Sequence, residues 1–313
     1  MKTIDAAKGY WPEILKKLGV DSYYLNGNHT DCPICGQGKD TFRFDDKNGS
    51  GSYYCGKCGA GYGINFVMNL LNLSFAGAAK QVDEIIRNEP VQKTQKSKPR
   101  DPRPLLKSIA KGLHPIIGTE AEKYLHDRGL EIISDELRFH SGLVYWGRDN
   151  NGNAVNRGKY SAMVAPIISP DGKHLTYHIT YLSNGRKANV DSPKKVMKPI
   201  EPIRGGAIRL FQPTESLGIA EGIETALAVH QHYKVPVWST ASANGMASVV
   251  LPDKVKKILI FSDNDKSYTG QQAAYSLASR LKKMGKSVKV YTPTKQGTDF
   301  LDQLQSEMKC QKN

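Results

Sequence analysis

Two aspartates separated by one residue, Asp263 and Asp265, follow the apolar run Lys257-Ile258-Leu259-Ile260-Phe261. Carboxylates spaced this way can aim their oxygens at one hard cation, and Mg²⁺ takes oxygen ligands while keeping part of its water shell for phosphate. The plainer reading of the pair is that it caps the helix that follows. Another carboxylate, Glu221, stands between the apolar run Leu217-Gly218-Ile219-Ala220 and Gly222, ahead of a periodic stretch suited to a helix. A carboxylate there projects from the C-terminal end of a strand, where open α/β sheets place their ligand sites. Near the front of the chain, four cysteines fall as two Cys-x-x-Cys pairs, Cys32 with Cys35 and Cys55 with Cys58, with 19 residues between the pairs. That spacing lets four thiolates converge tetrahedrally on one structural Zn²⁺.

Elements must hold these groups in place. The continuous apolar run 257–261 reads as a strand covered on both faces, Val235 to Ser239 as another buried strand, and Ser287 to Tyr291 as a further one. After Asp265, residues Ala274, Leu277, Ala278, Leu281 and Met284 recur at helical spacing and form a core face, which Gly285 ends. Ala243-Asn244-Gly245 reads as a turn that either approaches a nucleotide or reverses the chain. Around the cysteines, Trp11 to Gly19 is helix-like, and Thr41 to Asp46 and Ser52 to Tyr54 alternate as strands joined by a turn-rich 46–51. Two short helices, 64–73 and 76–86, finish that module. The middle of the chain carries a helix over Glu120 to Arg128 and strands at Leu137 to His140, Met163 to Ile168 and Leu175 to Leu182, the last two joined by the turn Ser169-Pro170-Asp171-Gly172.

The run Ile219-Ala220-Glu221-Gly222-Ile223-Glu224-Thr225-Ala226-Leu227-Ala228, then Ser262-Asp263-Asn264-Asp265, then Gly297-Thr298-Asp299-Phe300-Leu301-Asp302, resembles the Toprim domain in the version carried by phage- and plasmid-type DNA primases. The four-cysteine unit is similar to the zinc ribbon that opens those primases and recognises single-stranded template. The resemblance implies that Glu221 is a general acid/base or metal-proximal carboxylate, and that Asp263 and Asp265 hold Mg²⁺, with Mn²⁺ as a substitute. It also makes Asp299 an outer metal ligand, with capping of the last helix as the alternative. Many Toprim proteins have an aspartate four residues after the glutamate; here that place is Thr225, with Glu224 one position earlier. The implied fold is α/β: a small four-cysteine zinc ribbon, then a mixed α+β segment leading into a Toprim α/β domain.

The domain boundaries that follow are 1–87 for the template-binding ribbon, 88–104 for a linker, 105–213 for the N-terminal subdomain of the catalytic core, and 214–313 for the Toprim domain. The linker is polar, basic and rich in proline, and such composition cannot bury a core. The chain of 313 residues carries 44 Lys and Arg against 30 Asp and Glu, a formal charge of +14, which favours a polyanionic partner. Lys173 to Arg209 holds eight Lys or Arg against two acids, directly before the acidic motifs. It reads either as a solvated face or as a track for template or nucleotide phosphates, with Lys195, Lys198 and Arg204 as the contacts. His29 precedes a zinc shell already closed by four cysteines, so it is a surface or template-contacting residue. Among the ribbon aromatics Phe42, Phe44, Tyr53 and Tyr54, some face solvent as stacking platforms for bases and the others face the small core.

No run of about 18 apolar residues exists and the N-terminus lacks an apolar signal core, so membrane insertion and export find no support. The expected location is the cytoplasm, that of a bacterial host if the gene is phage- or plasmid-borne. Cys310 is left over as an ordinary thiol. Gly285-Lys286-Ser287 approaches a Walker loop, but Arg280 occupies the place of its first glycine. With no ATPase signature, the implied partner is a separate replicative helicase, beside single-stranded DNA and nucleoside triphosphates. The expected activity is synthesis of short RNA primers by metal-dependent nucleotidyl transfer. The alternatives are a Toprim-family nuclease and a non-catalytic DNA-binding adaptor.

Overall fold

A computed structural model describes residues 3–38, 40–88, 101–149 and 154–310. The chain divides into two compact units, Met1–Pro99 with Arg148–Ala154, and Arg100–Gly147 with Val155–Asn313.

In the first unit, helices α1 (Thr3–Ala7) and α2 (Trp11–Lys17) precede an antiparallel sheet of β1 (His29–Thr30), β2 (Phe42–Phe44), β3 (Tyr53–Cys55) and β4 (Gly59–Gly61), followed by helices α3 (Gly63–Leu71) and α4 (Phe75–Asn88). Strand alternation sends Phe42, Phe44 and Tyr53 inward, where they surround the Phe66 ring of α3 at 5.8, 6.3 and 5.1 Å between centroids. Tyr54 alone of the four ribbon aromatics turns outward, 53% exposed. Trp11 lies flat on Gly63, where an added Cβ would come within 2.0 Å of the indole, so only glycine can open α3. These aromatics supply a core that so small a sheet could not otherwise assemble.

The second unit begins with helix α5 (Arg103–Lys111), and then come β5 (Leu113–Pro115), helix α6 (Glu120–His126), β6 (Arg138–Arg148), β7 (Ala154–Ile168), β8 (His174–Ser183), β9 (Arg186–Lys187) and β10 (Lys194–Val196). The stretch read as a linker, 88–104, has residues 89–100 outside those described. Its ends are helical: Asn88 closes α4, while Arg103 and Pro104 open α5. Pro104 fits there because the first helical turn has no acceptor for the missing N–H. Strands β6 and β7 run well beyond 137–140 and 163–168: the outer half of β7 is polar and lacks the apolar run that marks a strand in sequence, whereas β6 continues past the break at Ser141-Gly142 through the apolar Leu143-Val144-Tyr145-Trp146. The sheet order is β10-β8-β7-β6-β5, with β9 beside β8. One face, with Tyr145, Val164 and Tyr181, is covered by Leu106 and Ile109 of α5. The other, with Met163, Ala165 and Leu182, packs on the domain that follows.

That domain is a four-stranded parallel sheet in the order β12 (Val237–Ser239), β11 (Ser216–Ala220), β13 (Lys257–Phe261), β14 (Ser287–Tyr291). Helices α7 (Ile223–Tyr233) and α10 (Phe300–Cys310) line one face through Leu227 and Leu301. Helices α8 (Ala243–Ser248) and α9 (Thr269–Lys283) line the other through Met246 and Leu277. Residues 243–245 are thus the first turn of a helix and not a reversal: the Ser242 hydroxyl accepts from the Gly245 N–H and caps it. Met284 is 60% exposed and leaves the core face to Ala274, Leu277 and Leu281, because the helix has already ended at Lys283. Among the described residues no helix is long and apolar enough to cross a membrane. The side chain of Cys310 lies outside the described set.

Candidate functional site

From β11 the chain goes to β12 on one side, while β13 pairs on β11's other side. At such a switch point the loops leaving adjacent strands diverge and open a crevice at the strands' C-terminal ends. Glu221 follows β11 and Asp263 follows β13, so both stand at this crevice. The main chain at Glu221 is pinned: its carbonyl accepts the Ser239 hydroxyl at 2.7 Å and the Ala241 N–H at 2.9 Å. The cleft beside it has a volume of about 170 Å³, and Glu221, Glu224, Asp263 and Asp299 line it.

The electrostatics are those of crowded like charges. Burial, then Glu221, Asp299 and Asp265, push the Asp263 carboxyl up to about 7. Its Oδ1 is buried without a hydrogen-bond partner. Burial and Asp265 also raise Glu221. Asp265 spends one oxygen on the helix, accepting the Gly270 N–H at 2.9 Å, so the capping role holds for this member of the pair. Asp299 caps the last helix and keeps its second oxygen on Thr225. Its Oδ1 accepts from the Asp302 N–H at 3.0 Å while Asp302 accepts from the Asp299 N–H at 3.2 Å, a reciprocal cap on α10. Its Oδ2 accepts from the Thr225 hydroxyl at 3.2 Å. Thr225, in the place where many Toprim proteins carry an aspartate, therefore orients an acid supplied from elsewhere.

Glu224 behaves differently from its neighbours. Its side chain is 5% exposed, yet its carboxyl is held below the usual carboxylate range. Burial alone would raise it, but Lys194 and Lys187, with hydrogen bonds from Lys194 and Tyr124, hold it down to about 2. Lys194 Nζ donates at 2.9 Å and the Tyr124 hydroxyl at 2.7 Å, and Lys187 Nζ stands 3.8 Å away. His178, buried on β8 beside this group, is kept neutral by burial and by Lys194, its imidazole brought down to about 4.

The three cations chosen from the sequence, Lys195, Lys198 and Arg204, do not line the cleft. Lys195, one residue along from Lys194 on β10, points to the opposite sheet face, its ammonium 3.9 Å from the Tyr145 ring centre and bonded to the Trp146 carbonyl. Lys198 is exposed past the end of β10. Arg204 is exposed on the rim of a separate hollow lined by Thr240 and Asn244. Lys187, Lys194, Tyr124 and Arg128, which line or abut the cleft, were not singled out. The available signal was a glutamate inside the apolar helix start Ile223-Glu224-Thr225-Ala226-Leu227, since a buried carboxylate demands cationic partners.

In the first unit the Sγ atoms of Cys32, Cys35, Cys55 and Cys58 all lie within 4.8 Å of one another. The pairs Cys32–Cys58 and Cys35–Cys55 stand at 3.6 and 4.0 Å, close to the ~3.8 Å edge of a tetrahedron with 2.3 Å Zn–S bonds. The backbone N–H groups of Lys57 and Cys58 donate to Cys55 Sγ at 3.3 and 3.5 Å, an arrangement that favours thiolate. The four cysteines are positioned to bind one zinc ion. Among the described residues no other set of three or more His, Cys, Asp or Glu converges as tightly. His29 is exposed on β1, its Nδ1 3.2 Å from the Asp40 carbonyl.

Three family models match along the chain: a zinc-binding domain of primase-helicase at 27–64, a domain of unknown function (DUF7146) at 100–210, and a Toprim domain at 216–309. The chain carries a primase-type zinc ribbon and a Toprim domain, and this pairing supports a DNA primase function. Among solved structures, the chain is similar to the Aquifex aeolicus primase (zinc-binding and RNA polymerase domains) at 16% identity and a TM-score of 0.45, covering 100% of this chain and 84% of that one. It is also similar to the primase fragment of the bacteriophage T7 primase-helicase protein at 14% identity and 0.38, covering 91% and 98%. A DNA primase domain from Pseudomonas aeruginosa matches at 16% and 0.45, covering 65% and 74%.

Proposed function

We propose that this chain is a DNA primase that synthesises short RNA primers on single-stranded DNA, with nucleotidyl transfer at the acidic cleft. The observation that carries the reading is the convergence of Glu221, Asp263 and Asp299 on one cleft of a Toprim domain, in a chain that also bears a primase-type zinc ribbon. The unpartnered, buried Asp263 Oδ1 and the mutual repulsion among these carboxylates fit a divalent cation. Asp263, Asp265, Glu221 and Asp299 are the residues that would hold Mg²⁺ or Mn²⁺, which when bound offsets charge on the nucleotide phosphates and lowers the pKa of the 3′-hydroxyl. Glu221, pinned through its carbonyl, takes the proton as the 3′-oxygen bonds to the α-phosphorus and the bond to pyrophosphate breaks. Tyr54 on the outer face of the ribbon stacks on unpaired template bases, with His29 on the neighbouring surface. The setting is the cytoplasm, and the partner that opens the duplex is a replicative helicase.

The test is incorporation of labelled ribonucleotides on single-stranded DNA with Mg²⁺, comparing wild type with Asp263→Ala and Cys55→Ser. Template-dependent oligoribonucleotides from wild type and none from Asp263→Ala are expected. Cleavage of the template would point to a nuclease instead, and DNA binding with neither product nor cleavage would point to an adaptor.

A further inference from the structure

Three side chains that line the cleft keep a buried polar atom without a hydrogen-bond partner: Arg128 Nε, Asp263 Oδ1 and His178 Nδ1. Arginine and aspartate call for charged partners. His178 is the odd member, because its imidazole is neutral and the residue is only 6% exposed. Strand alternation sends its neighbours Tyr177 and Ile179 to the face covered by α5, so His178 turns towards the Toprim domain. The fold offers the ring nothing there. Its cross-strand neighbours are Ala165 on β7 and Val196 on β10, which carry no polar side-chain atom. The polar groups around it are engaged elsewhere: Lys194 and the Tyr124 hydroxyl donate to Glu224, and the Ser239 hydroxyl donates to the Glu221 carbonyl. A buried polar group left unpaired destabilises the protein that carries it, and at the wall of a cleft the missing partner can come from a ligand.

We infer that His178 is a specificity-determining residue that hydrogen-bonds the 2′-hydroxyl of the incoming nucleotide's ribose and so selects ribonucleotides over deoxynucleotides. The inference deepens the primase reading and rests on it for the identity of the substrate. A neutral imidazole has one donor and one acceptor nitrogen, and a hydroxyl likewise donates and accepts. Of the neutral polar groups on a nucleotide, the base edge is taken by pairing with the template, and the 3′-hydroxyl has to stay free for the next bond. The 2′-hydroxyl is the one that remains. A site that buries a polar group for a substrate hydroxyl discriminates against the analogue lacking it, because the protein group is then stranded.

The experiment measures kcat/KM for ATP and for dATP in primer synthesis on single-stranded DNA by the full chain, and the affinity of each nucleotide by calorimetry with Mg²⁺. Wild type is expected to prefer ATP in both. His178→Leu is expected to narrow that preference by about tenfold, in line with loss of one buried hydrogen bond, by weakening ATP and leaving dATP in place. A residue that only supports the fold would lower both nucleotides together. Because leucine replaces a ring that carries an unpaired buried nitrogen, the melting temperature of the variant is expected not to fall. His178→Gln, which keeps a donor and an acceptor, is expected to lie between wild type and His178→Leu. The inference is overturned if wild type binds and uses dATP as well as ATP. It is equally overturned if His178→Leu, or His178→Gln should the leucine variant not fold, keeps the wild-type ratio of ATP to dATP while making primers, a result that leaves the primase reading standing. A preference for ATP in binding that is lost in His178→Leu, in a protein that makes no primers on any template, would leave the ribose contact standing and remove the primase reading alone.

Discussion

Lys194, on a short strand of the six-stranded sheet, donates a 2.9 Å hydrogen bond to Glu224 in the first turn of α7. This contact ties the six-stranded sheet to the Toprim domain within the cleft lining, and it is charged, buried on the acid's side and doubled by Lys187.

The pH dependence follows from that pair. The folded carboxyl sits at about 2 against an ordinary value of 4.5, so its stabilisation is fully present above about pH 4.5 and is lost as pH falls towards 2. Glu224→Gln removes the stabilisation and strands two partly buried ammonium groups, at a cost on the order of 3 kcal/mol. Urea unfolding at pH 7 should show that gap, and repeating it near pH 3 should show the gap narrowed.

Asp263 has the opposite sign. Its folded carboxyl is raised to about 7, so ionising it costs stability progressively as pH rises from about 4 through about 7. In protein without divalent cation, Asp263→Asn should therefore be more stable than wild type at pH 8, on the order of 1–3 kcal/mol. Thermal melts with added Mg²⁺ should raise the wild-type midpoint and leave that of the variant in place.

Removing the zinc tests the first unit on its own. Chelation, or Cys55→Ser, should abolish zinc stoichiometry and unfold the sheet around Phe66, because the ligand set and the aromatic core share the strand Tyr53–Cys55. Hydrogen exchange should report lost protection in residues 29–61 and retained protection in the parallel sheet of the second unit.

Tyr54→Ala removes an exposed ring and disturbs no core contact. Single-stranded DNA affinity should fall by about 1–3 kcal/mol if one base stacks there, as read by fluorescence anisotropy, with the melting temperature unchanged.

Gly245→Ala probes the loop after β12. The added Cβ would fall 2.2 Å from the Thr240 carbonyl oxygen, which is backbone and cannot swing aside. The expected loss of stability is about 1–3 kcal/mol, measurable by urea unfolding.

The sequence made some of this architecture readable because certain patterns have one physical cause. Paired Cys-x-x-Cys motifs and the run 257–261 are of that kind, and the strand Ser287–Tyr291 has the bounds its alternation implies. Charge runs have several causes. Within Lys194-Lys195-Val196 the two lysines look equivalent in sequence, yet strand alternation sends one to Glu224 and the other over Tyr145. Choosing between them required the register of β10 on β8, where Lys194 pairs with Thr180. Tyr124 was out of reach for a different reason: its partner lies 100 residues away, and no local pattern encodes that contact. The Ser-Ala-Asn-Gly stretch read as a turn because asparagine and glycine usually make one, and the Ser242 cap overrode that preference.

The spacing of partners along the chain also sets an order of assembly during synthesis. The zinc centre draws on ligands 26 residues apart, so it can close while most of the polypeptide is still being made. The cleft cannot: Tyr124 waits 100 residues for Glu224, and Thr225 a further 74 for Asp299. A ribosome-bound nascent chain therefore passes through a long interval in which the ribbon is mature and the acidic site does not exist, and folding of the front module precedes any competence for chemistry.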